Sequence, residues 1–236
     1  VVYVSKALDR QRIRGLMKFW IVIPAYNERF SLEGILDELK SKNFSILVVD
    51  DGSIDDTFDV AKKKADFVIR NEKNLGKGMS FKKGIDYLLK EKNFDYLITM
   101  DADGQHSPLD LDKFLQKAED GAHFVVGNRM LNPIGMPKSR VITNKFMSWF
   151  ISWIVGQKIP DTQCGFRLIK REVLEKVKIK TNNFEIESEI LINAARLGFL
   201  IKSIPIRSIY FKSLHSRINP FIDTIRFIRF ILQLEK

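Results

Sequence analysis

Short apolar runs and helix-periodic segments alternate along the first hundred residues. Trp20-Ile21-Val22-Ile23-Pro24 is an apolar run ended by proline and reads as a buried strand. Residues 31–41 repeat Leu32, Ile35, Leu36 and Leu39 at helical spacing, with Ser31 placed to cap the helix. Ser45-Ile46-Leu47-Val48-Val49 is a second strand, residues 55–65 a helix and Phe67-Val68-Ile69 a third strand. Met79, Phe81, Ile85, Leu88 and Leu89 mark a helix over 78–91, and Tyr96-Leu97-Ile98-Thr99-Met100 a fourth strand. Strands alternating with helices predict βαβ units, and so an α/β fold with a central, mostly parallel sheet flanked by helices.

The second half is less regular. His123-Phe124-Val125-Val126-Gly127 reads as a strand, 185–197 as a helix, 201–209 as extended chain and 219–235 as a last helix. Residues 139–155 read as an amphipathic helix. Lys145, Ser148 and Ser152 form its polar stripe, and Ile142, Phe146, Trp149 and Trp153 line the opposite face. That aromatic face fits a lipid, core packing or a subunit contact. No segment approaches the ~20 uninterrupted apolar residues of a membrane span.

Chemistry gathers just after the strands. Asn27-Glu28, Asp50-Asp51 and Asp101–Asp103 each follow a strand. In open α/β sheets ligands bind beyond the carboxyl ends of the strands. Three acidic clusters on one edge call for a cation or a donor-rich ligand. Asp101 and Asp103, two positions apart at a strand exit, can share a hard divalent ion such as Mg²⁺ or Mn²⁺; a solvent-facing pair is the plain alternative. Gln105 can add a carbonyl oxygen, and His106 is either a ligand or a structural hydrogen-bond partner. Asn74-Leu75-Gly76-Lys77-Gly78 lacks the spacing of a Walker A loop. It can still bring backbone amides and one ammonium to an anion, or simply turn the chain into a helix. Tyr26 and Glu28 can hold a nucleoside by ring contact and ribose hydrogen bonds, or the tyrosine simply packs.

Charge refines the picture through its position. The chain of 236 residues carries a net charge of +10. Residues 1–18 hold five basic and one acidic residue, residues 201–236 seven and two, and the remaining 182 residues 27 and 26. Basic ends on a near-neutral body disfavour a nucleic-acid binder and fit an anionic surface such as lipid headgroups; solvated termini fit equally. A single cysteine, Cys164, excludes a disulfide framework. Residues 1–18 lack the apolar run of a secretory signal. Met17-Lys18 directly before the first strand suggests that residues 1–16 stand outside the fold.

Four motifs together carry a resemblance. Ile21–Glu28, Val48-Val49-Asp50-Asp51-Gly52-Ser53, Asn74–Gly78 and Asp101-Ala102-Asp103-Gly104-Gln105-His106 resemble, in order and spacing, the family-2 glycosyltransferases of the GT-A fold. Within them the chain looks most like the polyprenyl-phosphate (dolichyl-phosphate) mannosyl- and glucosyltransferases. That narrower likeness rests on Gly127-Asn128-Arg129, Asp161–Arg167, Phe184–Glu189 and Ser216-Arg217. It covers roughly residues 19–232.

The resemblance implies an inverting, metal-dependent hexosyltransferase that uses a UDP-glucose- or GDP-mannose-type donor. Pro24, Ala25, Tyr26, Glu28, Val49, Asp51 and Lys77 match donor-binding positions, with Asp101, Ala102 and Asp103 at the diphosphate. Asp101, Asp103 and Gln105 match the site of the divalent cation (Mg²⁺ or Mn²⁺). Arg129 matches an arginine near the phosphates, and Arg217 a basic residue of a loop that closes over them. Glu187 stands where relatives place an acidic residue facing the acceptor, as a base or a sugar contact. Phe211 stands where mannosyl-type members carry an arginine, and Asp161–Phe166 looks closer to the glucosyl type. Asp103, Glu187, Arg129 and Arg217 are the expected catalytic set.

A hydroxyl acceptor would need a general base, whereas a lipid phosphate is already ionised. The expected acceptor is a polyprenyl phosphate; a saccharide hydroxyl is the alternative. The expected organisation is a basic extension over 1–18, a catalytic domain over 19–210, and an acceptor loop with a basic amphipathic helix over 211–236. The expected setting is peripheral, at the cytoplasmic face of a membrane, with a homo-oligomer compatible with the same apolar faces. A receiver-type signalling module shares the strand-Asp-Asp pattern, but the second acidic cluster and the long C-terminal half argue against it.

Overall fold

The structure is a computed structural model that describes residues 16–42, 44–181, 185–207 and 209–210. Residues 1–15 of the N-terminal extension, Phe184 and the whole 211–236 region, with Phe211, Ser216, Arg217 and the last helix, lie outside the described residues.

The first half alternates as expected: β1 (Phe19–Ala25), α1 (Arg29–Ser41), β2 (Ser45–Asp50), α2 (Thr57–Lys64), β3 (Phe67–Arg70), α3 (Lys77–Glu91) and β4 (Tyr96–Thr99). A 3₁₀ turn (Pro108–Asp110) leads into α4 (Leu111–Glu119), followed by β5 (Phe124–Asn128) and α5 (Lys138–Val155). Then come β6 (Arg167–Lys170), α6 (Arg171–Lys176), α7 (Ile186–Arg196) and β7 (Ile201–Pro205).

Among the described residues, seven strands form one sheet in the order β3-β2-β1-β4-β6-β5-β7. All neighbouring pairs are parallel except those of β6, which runs antiparallel to β4 and β5. Ile21, Val22 and Ile23 of β1 and Ile46, Leu47, Val48 and Val49 of β2 are fully buried, as unbroken apolar strands covered on both faces require. The first half therefore delivers β1, β2 and β4 side by side with their carboxyl ends on one edge. This is the edge the acidic clusters occupy.

Two local expectations change and one open reading narrows. Ser31 does not cap α1; the helix starts at Arg29, and Ser31 lies in its first turn with its hydroxyl donating to the Glu28 carboxylate at 2.9 Å. Helices α4 and α6 and strand β6 stand where the pattern suggested none. The aromatic face of α5 is not core. Ile142, Phe146, Trp149 and Trp153 are 69%, 49%, 64% and 72% exposed, whereas Asn144, Met147, Ser148 and Ile151 are buried. Ser148 and Ser152 of the polar stripe turn inward because the loop after the helix supplies their partners, whereas Lys145 is exposed. Thr162 N–H donates to Ser148 Oγ at 2.9 Å, and Ile159 N–H donates to Ser152 Oγ at 2.9 Å.

Candidate active site

The turn after β1 and the turn after β2 are zipped together. Asn27 takes a left-handed backbone (φ 54°). Its N–H donates to Ser53 Oγ at 3.0 Å, its Oδ1 accepts from Ile54 N–H at 2.9 Å, and Glu28 N–H donates to Thr57 Oγ1 at 2.9 Å. Gly52 also sits at positive φ, and a Cβ there would lie 2.7 Å from the backbone of Lys73. Only glycine lets the turn after β2 and the loop after β3 approach this closely.

Asp51 is buried and holds the neighbouring loop. Its carboxylate accepts from Asn71 Nδ2 at 2.8 Å, from Leu75 N–H at 2.9 Å and from Gly76 N–H at 2.8 Å. Three donors nearly fill a carboxylate's acceptor capacity. Asp51 therefore fixes the Asn74–Gly78 turn, and that turn presents Lys77 as the first residue of α3. Asp50 is also buried, with Arg70 Nε 3.2 Å from its Oδ2. A cleft of about 410 Å³ opens beside these loops, lined by Gly52–Ile54 and Arg70–Glu72.

Asp101 and Asp103 follow β4 directly. Asp101 N–H donates to His106 Nδ1 at 3.2 Å, and His106 stacks on Phe166. His106 is thus the structural partner of the acidic turn. Burial holds its pKa below the usual value against the pull of Asp101 and Asp103. Asp103 Oδ1 accepts from Gln105 N–H at 2.9 Å. Burial and the charge of Asp101 push Asp103 up.

Asp101 behaves oppositely. Burial would raise it, but the Lys77 ammonium, with His106 and Arg129 further away, holds it well below the usual carboxylate range. Lys77 Nζ stands 2.6 Å from Asp101 Oδ1 and 2.9 Å from Glu187 Oε1. The two carboxylates overcome the burial of that ammonium and hold it well above the usual lysine range.

Glu187 lies in the first turn of α7, and Arg167 grips it from the other side. Arg167 Nη2 is 3.8 Å from Glu187 Oε2, and Nη1 donates to the Glu187 carbonyl. Arg167 is fully buried; its Nε and Nη2 also donate to the carbonyls of Cys164 and Thr162, at 2.8 and 2.9 Å. This one side chain ties the 161–166 loop to the start of α7.

Arg129 is buried against Asp161. Its Nε and Nη2 donate to the two Asp161 oxygens at 2.8 and 3.0 Å, and its backbone N–H adds a third bond at 3.0 Å. Such a fork-to-fork pair fixes orientation as well as charge. Gly165, in the same loop, abuts Asp101: a Cβ there would lie 3.0 Å from both carboxylate oxygens. Thr99 Oγ1 donates to the Gly165 carbonyl and locks that approach.

The expected residues therefore divide. Lys77, Asp101 and Glu187 converge on one ammonium, and Asp103 and Gln105 share the turn beside it. Pro24 and Ala25 end β1, and Tyr26 and Glu28 follow them at the zipped turn. Val49 packs on Gly84 of α3, and Ala102 is buried within the acidic turn. Arg217 lies outside the described residues.

Among the described residues no group of three or more His, Cys, Asp or Glu side chains converges for a metal. Two carboxylates, one in a cradle that a Cβ at Gly165 would fill, suit a hard cation whose remaining oxygens come from a ligand.

The family profile described as Glycosyl transferase family 2 matches residues 20–178. The chain belongs to glycosyltransferase family 2. It is similar to the UDP-N-acetylglucosamine–dolichyl-phosphate N-acetylglucosaminyltransferase of Methanococcus voltae, with 30% identity over 215 residues, 81% of this chain and 85% of that protein. It is similar to the polyprenol monophosphomannose synthase of Mycolicibacterium smegmatis, with 30% identity over 213 residues, 84% and 80% of the two chains. Its fold matches a glucosyl-3-phosphoglycerate synthase from Mycobacterium tuberculosis, solved with Mn²⁺, UDP and glucosyl-3-phosphoglycerate, at a TM-score of 0.68 and 18% identity over 93% of this chain and 79% of that one. The α/β architecture is thus the GT-A fold, and the protein is a glycosyltransferase.

In this family-2 glycosyltransferase three supporting residues carry no role that the motifs alone assign. Asp161, Gly165 and Arg167 stand in one seven-residue stretch, Asp161–Arg167. The available signal was an acid and a glycine just before β6 and the arginine that opens it, but the strand itself was not legible.

Proposed function

We propose that this glycosyltransferase moves a hexose from a nucleotide sugar to a polyprenyl phosphate at a membrane surface, with a divalent cation held by Asp101 and Asp103. The observation that carries this reading is the environment of Glu187. Its carboxylate lies 2.9 Å from Lys77 Nζ and 3.8 Å from Arg167 Nη2, so its oxygens are committed to two cations rather than free to hydrogen-bond the proton of an acceptor hydroxyl. An acceptor hydroxyl would need that proton taken; a phosphate oxygen needs no base.

The phosphate oxygen forms a bond to the anomeric carbon as the bond to the nucleoside diphosphate breaks on the opposite side. A bound Mg²⁺ or Mn²⁺ would neutralise charge on the departing diphosphate. The protein's own share is positioning. Asp51 shapes the turn that presents Lys77, His106 fixes the acidic turn, and Arg167 fixes Glu187. The names of the dolichyl-phosphate and polyprenol relatives, and the Mn²⁺ and UDP in the structural neighbour, support the acceptor and donor classes. The exposed Trp149 and Trp153 on α5 support contact with lipid, since indole rings favour the membrane–water interface.

The test is direct. The full chain is incubated with Mn²⁺, UDP- and GDP-sugars and a short-chain polyprenyl phosphate, and glycolipid is measured by mass spectrometry. Product is expected with wild type and none above background with Asp103→Ala. Transfer only to soluble saccharides would overturn the acceptor, and retained turnover in Asp103→Ala would overturn the metal site.

A further inference from the structure

We infer that Lys77 is the resident cation of this site: its ammonium bridges Asp101 and Glu187 while no donor is bound, and it competes with the divalent ion for Asp101. The inference rests on the metal reading above.

Three elements meet on one nitrogen. Lys77 begins α3, Asp101 follows β4 and Glu187 begins α7, yet Nζ lies 2.6 Å from Asp101 and 2.9 Å from Glu187. Asp101 and Glu187 thus place two carboxylates on this nitrogen, and carboxylates taken out of water need compensating charge. Arg167 compensates Glu187 from its far side. Arg129 is committed to Asp161. Among the described residues, the cation within hydrogen-bond distance of Asp101 is Lys77.

Geometry makes the competition steric as well as electrostatic. Gly165 closes one side of the Asp101 carboxylate. Lys77 covers Oδ1. A divalent ion binds carboxylate oxygen at roughly 2.0–2.6 Å, so it cannot take Oδ1 while the ammonium stays. An ion that takes Oδ1 therefore displaces Lys77 from Asp101, and Glu187 remains as its anchor. The diphosphate of a donor supplies the negative charge that gives the released ammonium a new partner. Metal and nucleotide then enter as coupled ligands, each favouring the other.

The measurement is Mn²⁺ binding, read by the loss of the free-ion EPR signal, on the nucleotide-free full chain. Lys77→Met should bind Mn²⁺ about tenfold or more tightly than wild type. Lys77→Arg keeps the charge and should bind no more tightly than wild type. Lys77→Met with Asp101→Asn should lose the gain. Addition of UDP or GDP should tighten Mn²⁺ binding far more in wild type than in Lys77→Met. Equal affinity of Lys77→Met and wild type, including no binding by either, overturns the inference. Mn²⁺ uptake by wild type with UDP or GDP present separates that outcome from failure of the metal reading itself. Circular dichroism confirms that each variant is folded.

Discussion

Gly165 shows how narrowly the acidic turn is fitted. Its backbone conformation does not demand glycine, so the constraint is space: a methyl group would lie 3.0 Å from each Asp101 oxygen. Ordinary contact distances are longer, so either the 161–166 loop or the carboxylate has to move by a few tenths of an ångström. The loop is held by Arg167 and by Thr99, which leaves Asp101 as the softer partner. Displacing a group at a reacting centre by about 1 Å can cost roughly 100-fold in rate. Gly165→Ala is therefore expected to lower kcat by about tenfold or more while the Tm moves little, checked by steady-state kinetics and a thermal melt. Unchanged kinetics would mean that the loop, not Asp101, gives way. The motif Asp101–His106 made its own residues legible, but its supports come from a distance. Gly165 lies 64 positions along the chain, and nothing in local spacing brings it to Asp101. The same holds for the bridge from Lys77 to Glu187, which depends on how α3 and α7 meet at the sheet edge.

Helix α5 carries the clearest lesson at the level of elements. Its apolar stripe was visible as a stripe, but which side faces the core was not. A buried serine is acceptable where its hydroxyl is satisfied, and the loop after the helix does this for Ser148 through Thr162. Ser148→Ala would strand the Thr162 N–H and should destabilise the fold by about 1–3 kcal/mol in chemical denaturation. Replacing both Trp149 and Trp153 by serine should change stability by no more than about 0.5 kcal/mol per site, because both rings are exposed. The double variant should instead lose binding to anionic liposomes; undiminished binding would remove α5 from the membrane contact. Strands β1, β2 and β4 were legible because buried parallel strands are unbroken apolar runs. Strand β6 was hidden: Arg167 opens it and Lys170 closes it, leaving Leu168 and Ile169 as its apolar signal. That missed strand is the antiparallel one, and it carries the arginine that positions Glu187.

Across the whole molecule, the site depends on the two halves of the sheet staying joined. Strands β1, β2 and β4 bring the donor-side loops, while β6, with the loop before it, brings Gly165 and Arg167. Cys164 lies in that loop, fully buried against Gly127, and reports on the junction. Burial raises its thiol, with Arg129 pulling the other way, to about 12. The reactive thiolate is thus nearly absent at pH 8, and alkylation has to wait for the chain to open. If the junction opens only when the whole domain unfolds, iodoacetamide labelling should follow global stability measured independently. A ligand that binds only the folded state then protects by mass action: Mn²⁺ with nucleotide at 100 times its Kd should slow labelling about 100-fold. Labelling much faster than global unfolding, or unmoved by nucleotide and Mn²⁺, would mean that the Asp161–Arg167 loop opens by itself. In that event the acidic turn loses its cradle without the sheet coming apart, and the positioning of Asp101 is a local property of one loop rather than of the fold.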